Sequence, residues 1–517
     1  MDLSNNKKIF FVLFPLLIIT SIIILFYPFL LSHFNITASD SAGLFCGAKN
    51  LIIDKEFSHT NIDQLAFSAC WTKDTYPGYQ LLIALLAWPW KNYNSSIGLA
   101  IIFTAIIICL ICSILIYKIS YQIWQNKLIS TISFIAAITS LPLSIALTLT
   151  PHNLFGYLGI LIGLNELVKY IKFRKIKYLV YAIIITLPLY FFHQLSLFVY
   201  LICLMLFFVF SETKKILKIY GIALAVIGIW LISYFYFHQL NPINALNAFQ
   251  AKDTDILQIH NFFDHPATLG YFLVIFGISG LILFAREKNN KTLTKLFIIL
   301  IVGPLIFTVL PYFGWQVVPF RFILFLWIPL SILCGFGFFK FSNYIRLYLP
   351  KVSFLFLIYI FILTNVCHYL IFTYHNFRIY TVPYLLTSEE KNAYRYLQAN
   401  TDSQANILAI YYDYRHPAIM LPSYINNNIY RYTPSLKTSD LYQEYFINKK
   451  KFFTLFYRDL EAINNKDAMQ KFINQYNISQ IIIWPDKIDS KIIYNFDSLE
   501  KKVYQSTNII IYAASTK

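Results

Sequence analysis

Long apolar runs separated by short basic clusters make up most of the first 372 residues. A helix that crosses a bilayer needs about 20 apolar residues, and fewer where it packs inside a bundle. On that measure the pattern predicts eleven spans, near 9–32, 97–117, 128–149, 153–168, 178–192, 194–210, 217–237, 267–285, 296–310, 322–339 and 352–372. The first run follows Lys7 and Lys8 as a signal peptide would. It is too long for a signal core and no small-residue cleavage site follows, so it reads as a retained span. Two connecting stretches are long, 33–96 and 238–266. The first holds amphipathic runs at Ala42–Ile53 and Tyr79–Trp90, too short to span and suited to the membrane interface.

From Thr387 the apolar runs shorten. Ser388-Glu389-Glu390 before an amphipathic run reads as a helix start. Ile407–Tyr412 and Gln480–Trp484 read as buried strands, 466–476 as a helix and Val503–Tyr512 as a strand pair. The expected architecture is an α-helical polytopic membrane protein with a C-terminal α/β domain. Residues 1–372 form the membrane module and 373–517 a soluble domain.

Composition agrees, with 58% hydrophobic and only 13% charged residues. A soluble chain carries about 25% charged residues. The formal charge of +17 would suit a nucleic-acid partner, but no basic stripe with interleaved aromatics lies outside the apolar region. The positive charge instead sets topology. Nineteen Lys and Arg fall in the segments assigned inside and six (Lys49, Lys55, Lys73, Lys91, Lys252 and Arg321) in those assigned outside before residue 373. This places the N-terminus in the cytoplasm and the C-terminal domain outside it. Merging 178–192 with 194–210 into one tilted span would reverse every later segment and put the basic clusters outside, so two spans are expected.

In a membrane enzyme the informative groups are polar residues at one membrane face. Eight acids lie in the outer segments before residue 373: Asp40, Asp54, Glu56, Asp63, Asp74, Asp253, Asp255 and Asp264. Asp40 comes a few residues after the first span and opens a helical run, where it could equally be a helix cap. Asp253, Asp255 and Asp264, with His260 and His265, read as a solvated loop sooner than a sugar-contacting lid.

The order of features resembles a known family. Asp40 opens the first outer stretch, followed by Ala48-Lys49-Asn50-Leu51 and Tyr76-Pro77-Gly78-Tyr79. Pro319-Phe320-Arg321-Phe322-Ile323-Leu324 leads into a late span, and Tyr476-Asn477-Ile478-Ser479 begins an outer strand. Together they resemble the GT-C superfamily of membrane glycosyltransferases, in the branch of aminoarabinose transferases and protein O-mannosyltransferases. The resemblance implies a multi-pass protein of the plasma membrane, the inner membrane in a bacterium. It also implies transfer of a sugar from a polyprenyl-phosphate donor to an acceptor glycan, lipid or protein on the outer face. By resemblance Asp40 is the catalytic base, its carboxylate raised toward neutral pKa by partial desolvation.

Arg321 would bind the phosphate, for which a guanidinium offers a planar pair of donors; the alternative is an interfacial anchor. Lys49 and Tyr76 are further substrate-binding candidates by the same resemblance. Between spans three and four the family often carries a second acid, where this chain has Thr150-Pro151-His152-Asn153. His152, Asn153 and His193 are therefore candidate substitutes at the substrate, or residues satisfying local hydrogen bonds. A divalent cation held by Asp40, His152 and His193 is a further option. Cys109-x-x-Cys112 matches a redox motif but sits in an apolar span, where packing is the better reading. Cys46 and Cys70 share the first outer stretch, and a bridge between them stays open. The rival function is a transporter or lipid-carrier flippase, which would place ionisable residues mid-span.

Overall fold

The computed structural model describes residues 3–31, 39–53, 55, 77–90, 93–148, 150–210, 268–287, 290–309, 319–350, 353–376, 387–402, 405–410, 428–432, 466–475, 477–485, 488 and 490–514. The expected span 217–237, the stretch 238–266, Tyr76 and Cys70 lie outside these residues. Chain contacts divide the protein into two compact units, 1–31 with 103–375 and 32–102 with 376–517.

The first unit is helical. In chain order the described helices up to residue 210 are α1 (Leu3–Leu31), α2 (Ser39–Ile53), α3 (Pro77–Ala87), α4 (Tyr93–Trp124), α5 (Lys127–Ile138), α6 (Leu141–Thr148), α7 (Pro151–Phe173), α8 (Ile176–Ile184), α9 (Thr186–Phe192) and α10 (Gln194–Phe210). They continue as α11 (Tyr271–Ala285), α12 (Lys291–Val309), α13 (Pro319–Ile323), α14 (Trp327–Tyr348) and α15 (Phe354–Asn376). Of these α2 and α3 belong to the second unit, and α4 runs across the boundary. Among the described residues five helices are long and apolar enough to cross a membrane, or six if α5 and α6, bent by 47°, form one span. Shorter apolar helices cover Leu17–Leu31, Pro77–Ala87, Ile176–Phe192, Gln194–Phe210 and Tyr271–Ala285. The chain is a multi-pass membrane protein.

Lipid offers no partner for a backbone amide, so a membrane span must satisfy its own ladder. Close helix contacts then depend on small residues rather than on a hydrophobic driving force. Helix α14, buried along most of its length, shows this on two sides. Against α11, a Cβ on Gly337 would lie 2.1 Å from the Phe276 carbonyl oxygen, and one on Gly280 would lie 2.2 Å from the Leu333 carbonyl oxygen. Against α5, a Cβ on Gly335 would lie 2.4 Å from the Ile129 carbonyl oxygen. Ser133 Oγ donates to the Ile332 carbonyl at 3.0 Å across the same seam. Cys109 and Cys112 are buried thiols in α4, and Cys112 Sγ lies 3.9 Å from the Leu154 carbonyl, as packing requires.

A polar tie joins the C-terminal part of α4 to α7. Gln122 Nε2 donates to Asn165 Oδ1 at 3.1 Å, Asn165 Nδ2 donates to Glu166 Oε1 at 2.7 Å, and Glu166 pairs with Lys169. Lys172 donates to the carbonyls of Gln122 and Ile123, placing a cation at the negative end of α4.

The second unit holds a five-stranded sheet. Helix α16 (Ser388–Asn400) precedes β1 (Asn406–Ile410) and β2 (Asn428–Tyr432); α17 (Lys466–Gln475), β3 (Ile478–Ile483), α18 (Ser490–Leu499), β4 (Lys501–Gln505) and β5 (Ile510–Ala513) follow. The strand order is β2-β1-β3-β5-β4, parallel among β2, β1 and β3 and antiparallel for β5 and β4. Alternation sorts the side chains. Leu408, Ile410, Ile481 and Ile483 pack with Ile473 of α17 and Phe496 of α18. Ile407, Ala409, Ile482 and Ile511 pack with Ala393, Tyr394 and Leu397 of α16. Helices on both faces thus cover a sheet whose central strands are apolar on both sides. Thr387 caps α16, accepting from the Glu390 amide at 3.2 Å, while Glu390 Oε2 accepts from the Thr387 amide at 2.6 Å.

The glycine seam yields a test. Gly337→Ala drives a methyl into a backbone oxygen and should cost about 1–3 kcal/mol, seen as a melting temperature several degrees lower in detergent. Gly303→Ala should change little, because its nearest neighbour is the side-chain sulfur of Cys203 at 3.1 Å. Equal melting temperatures for wild type and Gly337→Ala would mean that α11 and α14 are not in contact there.

Candidate active site

Three helix ends of the first unit bring chemistry together. Helix α7 starts at Pro151, a residue suited to a first turn because its missing amide proton has no partner there anyway. His152 and Asn153 follow in that turn; Asn153 Nδ2 donates to Thr150 Oγ1 at 2.8 Å. The chain breaks at His193, whose extended backbone (φ −162°, ψ 94°) separates α9 from α10. His193 then caps α10 with its ring, because Nδ1 accepts from the Ser196 amide at 3.1 Å and lies 2.6 Å from Ser196 Oγ. The His152 and His193 rings are 5.3 Å apart between centroids and tilted by 33°. Both are buried. Arg321, exposed on α13, has its guanidinium within electrostatic range of both rings.

The close approach has a cause one turn into α7. A Cβ on Gly156 would lie 2.0 Å from Ser196 Oγ and 2.7 Å from His193 Nδ1, so only glycine fits. Aromatic pairs flank the polar groups: Phe155 stacks on Phe192 and Phe307 on Phe322, each with centroids 4.7 Å apart. Following the same helices further, Ile160 of α7, Val199, Tyr200 and Cys203 of α10, Pro304 of α12, and Phe325 and Ile328 line an apolar recess.

No family model matches the chain, and no curated protein matches it in sequence. Solved structures do match. The oligosaccharyltransferase AglB from Archaeoglobus fulgidus, in complex with an inhibitory peptide and a dolichol-phosphate, superposes with a TM-score of 0.58 at 11% identity, over 96% of this chain and 74% of that one. ArnT from Cupriavidus metallidurans, bound to undecaprenyl phosphate, gives 0.56 at 9% identity over 97% and 99%. The arabinofuranosyltransferase AftD from Mycobacteria gives 0.55 at 12% identity over 97% of this chain and 40% of that one. These neighbours are GT-C glycosyltransferases. The chain has the GT-C fold.

Of the residues singled out from the sequence, Arg321, His152, Asn153 and His193 lie in the first unit, the last three at the adjoining starts of α7 and α10. Asp40 and Lys49 lie on α2 of the second unit, Asp40 as its second residue. Asp40 therefore sits inside the first turn, where a carboxylate favours the helix dipole, instead of capping it. Its side chain, like Tyr76 and the Cys46 side chain, lies outside the described residues. Lys49 is buried, and desolvation pulls its ammonium down to about 8. Among the described residues no three His, Cys, Asp or Glu side chains group as metal ligands. Gly156 and Ser196 were not anticipated; the pattern His193-x-x-Ser196 at a helix start is the signal that could have found the second.

The lowered Lys49 value sets a direction for stability. The ordinary lysine value, near 10.5, belongs to the unfolded chain, so between about pH 8 and 10.5 the unfolded state binds more protons than the folded one. Over that window this group makes the fold more stable as pH rises, with its full penalty present below pH 8. Lys49→Met should flatten that rise when melting temperature is followed against pH. An unchanged slope would place the lysine in solvent.

Proposed function

We propose that this protein is a membrane glycosyltransferase that takes a sugar from a polyprenyl-phosphate carrier and passes it to a glycan, lipid or protein acceptor on the outer face. The observation that carries the proposal is the grouping of His152 and His193, with Arg321 in electrostatic range of both, at helix ends within a GT-C fold. Breaking the bond from the sugar's anomeric carbon to the carrier oxygen leaves negative charge on the phosphate. A guanidinium and an imidazole N–H are the groups that stabilise such charge, most strongly where water is excluded. The acceptor hydroxyl must lose its proton as it attacks that carbon, and we assign this to Asp40 by resemblance. Lys49, Asn153 and Tyr76 are assigned to the substrate on the same basis. Residues 1–372 would be the catalytic membrane module, with eleven spans and a cytoplasmic N-terminus. Residues 373–517 would form an α/β domain outside the cytoplasm, in a bacterium on the outer side of the inner membrane. A resident divalent cation is not needed for this reading.

Substitutions at two positions test the assignment in membranes supplied with a polyprenyl-phosphate sugar. Asp40→Asn removes a first-turn charge worth about 0.3–1 kcal/mol to the helix, yet should lower transfer about 100-fold or more because an amide cannot take the proton. Retention of more than half of wild-type transfer would remove Asp40 from the chemistry. Arg321→Ala should lose most activity, and Arg321→Lys recover only part of it, since lysine lacks the planar fork. A Lys variant equal to wild type would show that diffuse positive charge suffices. At the level of the cell, glycan and lipid mass spectrometry with and without the gene should reveal a missing sugar unit.

A further inference from the structure

The bonds around His193 determine more than the ring's position. The Ser196 amide, fixed by the first turn of α10, points at Nδ1 from 3.1 Å. A backbone N–H can only donate, so Nδ1 is the bare nitrogen of the ring. Ser196 Oγ, 2.6 Å from the same atom, then donates its proton as well. A neutral imidazole with a bare Nδ1 carries its hydrogen on Nε2. Among the described residues, the Arg321 charge acts on this ring, and the His152 ring of α7 lies 5.3 Å from it between centroids. The ring is 2% exposed, and burial with the Arg321 charge pushes its protonation down to about 3, so it stays neutral. Both donors come from Ser196, three residues on in the same helix, and the pair sits where a Cβ on Gly156 of α7 would otherwise lie.

We infer that Ser196 is a positioning residue that, with Gly156 making room, holds His193 as a neutral Nε2–H donor to the anionic oxygen of a lipid monophosphate. This rests on the lipid-phosphate reading above. It assigns His193 neither the role of base nor that of metal ligand, because either would need a bare Nε2 and hence a hydrogen on the nitrogen that the Ser196 amide already faces. In a donor locked in this way the one bare nitrogen already accepts two hydrogen bonds.

The test uses the full chain in lipid nanodiscs, labelled with 15N-histidine, with His193→Gln to assign the ring. Between about pH 6 and 8 the wild type should show one bare Nδ1 and one protonated Nε2 at His193. A hydrogen on Nδ1, or a doubly protonated ring, overturns the inference. In Ser196→Ala the Nδ1 signal should move toward that of an unbonded ring nitrogen. Affinity for geranylgeranyl phosphate should fall roughly three- to tenfold, whereas that for geranylgeraniol should not change. Ser196→Thr, which keeps the hydroxyl, should restore both readouts, and a thermal melt of each variant checks that it folds. Phosphate affinity that is unaltered in Ser196→Ala overturns the positioning role. A wild type with the locked ring that binds the phosphate no better than the alcohol refutes the lipid-phosphate reading itself, which separates that failure from an unlocked ring.

Discussion

The arrangement of the helix ends depends on one missing methyl group. With any side chain at Gly156, the start of α10 could not come within hydrogen-bond distance of α7, since Ser196 Oγ and His193 Nδ1 occupy the space a Cβ would take. His152 and His193 would then be held apart. In lipid, unsatisfied amides cost several kcal/mol each, so the interruption is tolerable only because the ring and the close neighbour satisfy it. A polar site at a helix break, closed by a glycine, follows from that single contact.

The rest of the helical unit uses the same device for a different purpose. Gly277, Gly280, Gly335 and Gly337 bring α14 against α11 and α5 at backbone distance, and Ser120 of α4 hydrogen-bonds to Ser133 of α5 at 3.1 Å. Larger side chains fill the wider gaps: Trp124 stacks on Phe336 with centroids 5.2 Å apart, and Tyr157 meets Trp327 edge-on at 5.4 Å. Small residues set the distance between helices and aromatic residues fill what remains, so the frame that carries α13 and Arg321 is rigid where van der Waals contact must replace the hydrophobic effect.

In the sheet of the second unit, polar groups do more of the work. Glu390 shows the economy: one oxygen closes the capping box of α16 while the other accepts from Trp484 Nε1 at 3.3 Å, so a single buried carboxylate starts the helix and ties it to the sheet. Tyr512, at the far side of the sheet, donates to Asp497 of α18 at 2.7 Å, and Lys502 pairs with the same carboxylate at 3.0 Å. The buried Glu390 and Trp484 thus partner each other, as burial demands.

The sequence by itself determined the membrane character, the approximate helix positions and the strand segments near 407–412 and 480–484, because apolar length and alternation are local properties that burial in lipid or in a sheet imposes directly. It also marked Thr387-x-x-Glu390, a cap built from neighbours in the chain. His152, His193 and Arg321 could be picked out only as isolated residues at helix ends, separated by 41 and 128 positions in the chain. Their meeting was decided by the packing of α7, α10 and α13. The tautomer of His193 and the need for glycine at 156 were likewise beyond the sequence. A hydrogen-bond donor is defined by what faces it in space, and a missing Cβ matters only where another helix takes its place.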